Sequence, residues 1–248
     1  MAHERSTCLN SDDSITMNTP IVQSSEGVTL VGGGPVSRAE FRLATTRAPR
    51  ILAADGGADR ALAAGYEPEA VVGDFDSITD MARATLGAAR LFPIAEQLTT
   101  DFDKALRSVA APFTLALGFT GARIDHGLAV FNTLVRHADR RCIVIGPRDV
   151  IFHAPARLNL QMTPGDRLSL FPMAPVTGRS TGLEWPIDGL DFAPHGMIGT
   201  SNRVTAGHVQ LELDSPGMLV ILPRARLDAA LRSLLGPGWQ PPRASASR

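Results

Sequence analysis

The chain predicts an α/β fold: an N-terminal, mostly parallel, Rossmann-like α/β domain followed by a C-terminal β-sandwich domain. Three observations carry that expectation. From Val28 to about Arg148, short continuous apolar runs alternate with segments of helical period, the pattern of a parallel sheet covered on both faces. After Arg148 the runs are short and closely spaced, with Gly, Pro, Asn and Asp turns between them and no helical period until residues 225–236. A 248-residue chain that is 44% hydrophobic with a net charge of −1 is long enough and apolar enough to bury a core.

Taken in order, residues 1–25 are polar and aperiodic and read as a disordered tail. VTLVGGG (28–34) is a buried strand ending in glycines, and SRAEFRLATTR (37–47) is a helix. RILAAD (50–55) is a strand, followed by the helix GADRALAAG (57–65), which Gly65 stops. AVVGDFD (70–76) is a strand and its exit loop, and SITDMARATLG (77–87) a helix. TTDFDKALRSVA (99–110) is a helix with Thr100 as N-cap and an acid three residues on. FTLALGF (113–119) and RRCIVIG (140–146) are strands on either side of the helix DHGLAVFNTLVRHA (125–138). The strands DVIFHA, ARLNLQM, DRLSLFPM, HVQLELD and GMLVILP then build the second domain, and ARLDAALRSLLG (225–236) closes the chain before a Pro-rich tail. The expected boundaries are a tail at 1–25, the α/β domain at 26–148, the β-sandwich at 149–225, and a C-terminal helix and tail at 226–248.

Composition excludes several classes. No run of eighteen apolar residues marks a transmembrane helix, and the first twenty residues lack the apolar stretch of a secretory leader. The expectation is a cytoplasmic protein with no membrane partner. Near-neutral charge argues against a nucleic-acid surface. Cys8 and Cys142 make neither a disulfide framework nor a zinc site.

Ligands of open parallel sheets bind beyond the carboxyl ends of the strands, and those ends are where this chain concentrates glycine and charge. The first strand exits into Gly32, Gly33 and Gly34, the second into Asp55, Gly56 and Gly57, and the third into Asp74 and Asp76. FTLALGF exits toward Gly121, Arg123 and Asp125. Singly, most of these have ordinary explanations. GGGP is a turn that lacks both the G-x-G-x-x-G and the GK[ST] spacing. Asp55 and Asp125 each suit a helix N-cap, and Asp101 suits a helix dipole. The pair Asp74 and Asp76 is harder to explain structurally, because two acids on one side of an extended segment repel each other unless a cation is shared.

Carboxylates without a His or Cys set suit Mg²⁺ or Mn²⁺ over zinc. Mg²⁺ takes one or two carboxylates together with substrate phosphates, so the pair predicts a phosphorylated ligand, with glycine loops offering N–H groups to its oxygens. Lys104 is the only lysine among 24 basic residues. It lies one helical turn after Asp101, where it fits either a phosphate contact or an exposed ion pair.

In combination, ADGGADRAL (54–62), VVGDFDSI (71–78), QLTTDFDKAL (97–106), GFTGARIDHGLAVFN (118–132), STGLEWPI (180–187) and GTSN (199–202) resemble the thiamine pyrophosphokinase (thiamine diphosphokinase) family, in the family's order from Val28 to about Pro223. The resemblance implies transfer of pyrophosphate from ATP to thiamine, giving thiamine diphosphate and AMP. It also implies an α/β domain followed by a β-sandwich, and a homodimer with active sites between subunits. Carried over by motif, Asp74, Asp76 and Asp101 hold Mg²⁺ and the ATP phosphates. Asp55, Gly33, Gly56, Gln97, Thr100, Lys104 and Arg123 lie at the ATP, and Asp101 or Asp125 takes the hydroxyl proton. Ser201 and Asn202 hold thiamine, with Trp185 as a candidate platform for its rings. The chain departs from the family pattern at Leu98, where an acid is usual, at Ala122 for glycine, at Asp59 for asparagine, and at Arg203-Val204, where no aromatic follows Ser201-Asn202. Two rival readings remain from the residues themselves: a sugar-nucleotide transferase with a D-x-D metal pair, and a non-catalytic nucleotide-binding protein.

Overall fold

A computed structural model describes residues 20–242. The described chain opens with β1 (Val22–Gln23) and then alternates strands and helices. These are β2 (Val28–Val31), α1 (Arg38–Thr45), β3 (Arg50–Ala54), α2 (Gly57–Ala63), β4 (Ala70–Gly73), α3 (Asp80–Leu86) and β5 (Leu91–Pro93). Then come α4 (Asp101–Arg107), β6 (Val109–Ala110), β7 (Thr114–Leu117), α5 (Ile124–Arg136) and β8 (Cys142–Ile145). The rest is strand-rich: β9 (Asp149–His153), β10 (Arg157–Gln161), β11 (Arg167–Pro172), β12 (Gly178–Thr181), β13 (Gly199–Arg203), β14 (His208–Leu213) and β15 (Met218–Pro223), closed by α6 (Leu227–Leu235).

Ten strands form one sheet in the order β13-β11-β15-β9-β8-β7-β2-β3-β4-β5. Six of them, β8 to β5 in that order, run parallel, and the remaining four join antiparallel. The change of texture near residue 148 is therefore no break in the sheet, because β9 turns back directly onto β8. Alternate residues of the strands feed two cores. Ile51, Ala53, Leu115 and Ile143 face α1, α2 and α3, whereas Leu52, Ala54, Ala116 and Val144 face α4 and α5. A second sheet, β10-β14-β12, buries Leu158, Leu160, Val209 and Leu211 in the same core as Leu168 and Leu170 of β11. α6 lies against β10. Among the described residues no helix is long and apolar enough to cross a membrane.

Helix starts follow the side chains that satisfy their free N–H groups. Ser37 and Glu40 form a reciprocal capping box, Thr79 accepts from the Ala82 N–H at 3.2 Å, and Thr100 accepts from the Asp103 N–H at 3.3 Å. Asp103 then locks α4 to α5. It is 1% exposed, with Arg136 Nη1 at 2.8 Å, Arg107 Nε at 3.0 Å and His137 Nε2 at 3.3 Å. Burial pushes its carboxyl up, but His137, Arg136 and Arg107 outweigh it and hold it below its ordinary value. Asp103→Ala leaves Arg107 and Arg136 without their buried partner, which costs about 3 kcal/mol. The melting temperature is expected to fall by about 6–12 °C in a thermal scan.

One boundary expectation is corrected. The tail assigned to residues 1–25 includes backbone pairing at its end: Ile21 N–H donates to Ser108 O at 2.8 Å and Ser24 N–H to Ala110 O at 2.9 Å, so β1 lies along β6. The rest of that tail, residues 1–19, lies outside the described residues. At the other end, Trp239 packs against the core, so the chain is ordered past α6; residues 243–248 lie outside the described residues. Strands β5, β12 and β13 were not expected from the sequence. The last two, GRST and GTSNR, are short and polar because each lies at a sheet edge with one side in solvent.

Candidate active site

The chain builds outward from β2 through β3, β4 and β5, then crosses back to lay β7 and β8 on the other side. The strand order therefore reverses between β2 and β7, and a cleft of about 240 Å³ opens beyond their carboxyl ends. Its walls include Gly32, Gly33 and Gly34 after β2, Asp55 and Gly56 after β3, Gly118 and Phe119 after β7, Thr100 and Asp101 at the start of α4, and Ala122, Arg123 and His126 at the start of α5.

Gly57 and Gly118 are among the glycines the backbone requires around the cleft. A Cβ on Gly57 would lie 2.0 Å from Val31 O, so only glycine lets α2 start this close to β2. Gly118 holds φ at 70° and would place a Cβ 2.6 Å from Gly32 O. At Gly33 the nearest atom to an added Cβ is 3.8 Å away; its place in the cleft, and not local crowding, is what distinguishes it.

Asp55, Asp74 and Asp76 each bring a carboxylate oxygen within 4.8 Å of the other two. Asp55 takes a left-handed backbone, φ 45°, which aspartate tolerates better than most residues. Its side chain is 1% exposed. One oxygen accepts from the Ser77 N–H at 3.2 Å, while Oδ2 is buried with no hydrogen-bond partner. Burial, with Asp76 and Asp101 adding to it, pushes the Asp55 carboxyl up to about 6, against the pull of Ser77. Asp74 is exposed and accepts from Gln97 Nε2 at 2.9 Å; that bond and the charge of Lys104 hold it below its ordinary value.

Asp101 lines the same cleft, and burial, with Asp74 and Asp76 adding to it, raises its carboxyl above its ordinary value. Lys104 is 2% exposed, with Nζ 3.9 Å from Asp101 Oδ1, so the alternative of an exposed ion pair is wrong: the lone lysine is inside. The acid set gathered by the fold is thus Asp55 with Asp74 and Asp76, where the motifs placed Asp101 with the pair.

Other expected site residues stand further off. Asp125 is exposed, paired with Arg123 and bonded to the His126 N–H at 3.0 Å; Arg123 pulls its carboxyl down to about 2. It does not line the cleft. Gln97 spends its amide on Asp74, and Leu98 is 91% exposed. Ser201 and Asn202 lie on β13, at the opposite edge of the ten-stranded sheet from the β4–β5 end.

Asn202 is buried, and its amide is committed to backbone. Nδ2 donates to Trp185 O at 2.6 Å, and Oδ1 accepts from the N–H groups of Trp185 at 3.2 Å and Arg203 at 2.8 Å. A buried amide must be satisfied, so Asn202 holds the Trp185 segment and leaves the indole 56% exposed. Sequence reasoning passed over Ser77, Phe119 and His126. His126 stands on the cleft wall. Ser77 accepts from the Gly56 N–H at 3.2 Å and donates its own N–H to Asp55, a role its place directly after DFD could have signalled.

An open α/β sheet with glycine turns and converging carboxylates at its switch point is the architecture of a phosphate-transferring enzyme. The family model described as "Thiamin pyrophosphokinase, catalytic domain" matches residues 41–145, and the one described as "Thiamin pyrophosphokinase, vitamin B1 binding domain" matches residues 156–218. Together they span more than half of the sequence, and the chain belongs to the thiamin pyrophosphokinase family.

Among curated relatives, Thiamine pyrophosphokinase 1 of Arabidopsis thaliana is 28% identical over 198 residues, 66% of this chain and 74% of the relative. Thiamine pyrophosphokinase 1 of Oryza sativa subsp. japonica is 28% identical over 169 residues, which cover 60% of this chain and 64% of that relative. The fold is shared with thiamin pyrophosphokinase from Candida albicans, at TM-score 0.69 and 17% identity, covering 79% of this chain and 90% of that one. It is also shared with the enzyme from Geobacillus thermodenitrificans, at TM-score 0.65 and 22% identity, covering 82% and 99%.

Proposed function

We propose that this chain transfers a pyrophosphoryl group from ATP to the hydroxyl of thiamine, giving thiamine diphosphate and AMP. The observation that carries the reading is the convergence of Asp74 and Asp76 on Asp55, which lines the switch-point cleft, in a chain of this family. The donors suit a hard divalent cation such as Mg²⁺: all are carboxylate oxygens, and the partnerless Oδ2 of Asp55 is a buried anion in need of a counter-charge. When bound, such a cation neutralises phosphate charge that develops during transfer. Asp55, Asp74 and Asp76 would hold it. Lys104 and Arg123 add positive charge, and the backbone of Gly33 and Gly34 and the first turn of α5 face the space a polyphosphate would fill.

In the reaction, the thiamine oxygen bonds to the β-phosphorus, and the bond from that phosphorus to the α–β bridging oxygen breaks. AMP leaves with the bridging oxygen. Between the two acids the motifs left open, Asp101 is the one suited to accept the hydroxyl proton: burial raises its affinity for a proton, whereas Arg123 holds Asp125 ionised.

Ser201, Asn202 and Trp185 serve thiamine only across a subunit boundary. β13 stands six strands from β2, about 29 Å at about 4.8 Å per strand. One chain cannot bring both sets to one thiamine. A homodimer in which the β13 edge of one subunit caps the cleft of the other does. Exposed apolar side chains support such a face at both ends: Leu98, Ile124 and Leu128 beside the cleft, and Trp185, Met197 and Ile198 beside β13. The α/β half would then supply ATP binding and the strand-rich half thiamine binding and dimerisation.

The test is to incubate purified protein with thiamine, ATP and Mg²⁺ and separate the products by chromatography. Thiamine diphosphate and AMP in equal amounts are expected. ADP with thiamine monophosphate would contradict the proposal.

A further inference from the structure

The turn that presents Asp74 and Asp76 is gripped by a residue outside every motif. Phe75, between the two acids, holds φ at 64°, a left-handed conformation that bulky side chains rarely enter. Arg83 of α3 contacts this residue twice. Its guanidinium donates a hydrogen bond to the Phe75 carbonyl, and its central carbon lies 5.5 Å from the centre of the Phe75 ring. The helix that carries Arg83 is itself anchored to the other side of the site. Thr79, its N-cap, donates its N–H to Asp59 of α2 at 3.1 Å, and α2 is the helix that begins just after Asp55. Ser77, on the same turn, donates its N–H to Asp55.

We propose that Arg83 is a positioning residue for the divalent cation: by holding Phe75 in its left-handed turn, it keeps Asp74 and Asp76 converged on Asp55. The inference rests on the reading of these three acids as a cation site. Arg83 touches none of the three carboxylates, so it works through backbone shape. A cation near a divalent-ion site contributes nothing favourable by charge, which makes loss of the brace, and not loss of charge, the expected source of any effect. Phe75 is the residue whose backbone pays for the arrangement. Glycine in its place would adopt the same φ freely and would no longer need the brace.

The test uses Mn²⁺ as the probe, with binding to the full-length protein followed by electron paramagnetic resonance in the absence of nucleotide and thiamine. Arg83→Met, which keeps the stem and loses the donor, is expected to weaken Mn²⁺ binding by about tenfold or more. Turnover of this variant should return toward the wild-type value at saturating Mg²⁺. Adding Phe75→Gly to Arg83→Met is expected to restore most of the Mn²⁺ affinity. Melts of the metal-free proteins run alongside. Wild-type affinity in Arg83→Met overturns the role of Arg83 and leaves the cation site standing. Weaker binding that tracks a lower melting temperature and is not restored by Phe75→Gly also overturns it. If the wild-type protein itself binds no Mn²⁺, the cation site on which the inference rests is overturned.

Discussion

Asp55→Asn is expected to reduce kcat/KM by about 10³-fold while making the metal-free protein more stable. The first effect follows from removing a buried oxygen from the cation site, a loss of about 4 kcal/mol of transition-state stabilisation. The second follows from linkage. Burial raises the folded-state pKa of Asp55 to about 6, above its ordinary value of 3.8. A carboxyl whose folded pKa is raised favours folding only while it is protonated. Its contribution is fully present below about pH 4 and is lost as pH rises through about 6. Asparagine carries no such penalty. In metal-free buffer the stability gap between Asp55→Asn and wild type should therefore be near zero at pH 4 and open to at most about 3 kcal/mol above pH 7. Added Mg²⁺ should close or reverse the gap, because only the wild type gains a bound cation. Chemical denaturation across this pH range, with and without Mg²⁺, reads both effects. A gap that does not grow with pH, or Asp55→Asn still stabilised by Mg²⁺ as strongly as wild type, would remove Asp55 from the site.

Mixing two impaired variants is expected to restore activity. Asp74→Asn damages the acid cluster, and Trp185→Ala removes the exposed indole that Asn202 presents. Loss of a ring platform costs about 1.5–3 kcal/mol, or about 10- to 100-fold in kcat/KM for thiamine. If each site takes its acids from one subunit and its thiamine contacts from the other, a mixed dimer contains one fully intact site. With random exchange of subunits, an equal mixture should recover about a quarter of wild-type activity. Activity that stays at the mean of the two separate variants would place both sets in one subunit or take Trp185 out of the site.

Much of the site was legible in the sequence because its signals are local. Strand exits are adjacent in sequence to the strands themselves, so apolar runs ending in Gly32–Gly34 and Asp55 placed two parts of the cleft, and Asp74–Phe75–Asp76 the acid pair beside it, before any fold was known. Thr100 as a helix cap was equally local. What escaped depends on contacts between distant segments. Asp55 joins Asp74 and Asp76 only because β3 and β4 are neighbours, a pairing no residue pattern marks. Lys104 fitted either a phosphate contact or an exposed ion pair, since helical spacing gives neighbours but not which face is covered. The hold of Asn202 on the Trp185 segment is a contact across seventeen residues that no local pattern marks. Polar edge strands such as β13 lack the apolar alternation by which strands are recognised. Arg83 follows no motif at all, because what it recognises is the shape of a turn eight residues upstream.

The central claim is attack at the β-phosphorus by a site built on the converged aspartates. It is tested most directly by running the reaction with ATP labelled in turn at the α-, β- and γ-phosphorus, for wild type and for Asp74→Asn. Label from both the β- and γ-positions should appear in thiamine diphosphate, α-label should remain entirely in AMP, and Asp74→Asn should transfer none at a detectable rate. Transfer of γ-label alone, with β-label left in ADP, would contradict the assigned reaction, and full transfer by Asp74→Asn would contradict the assigned site.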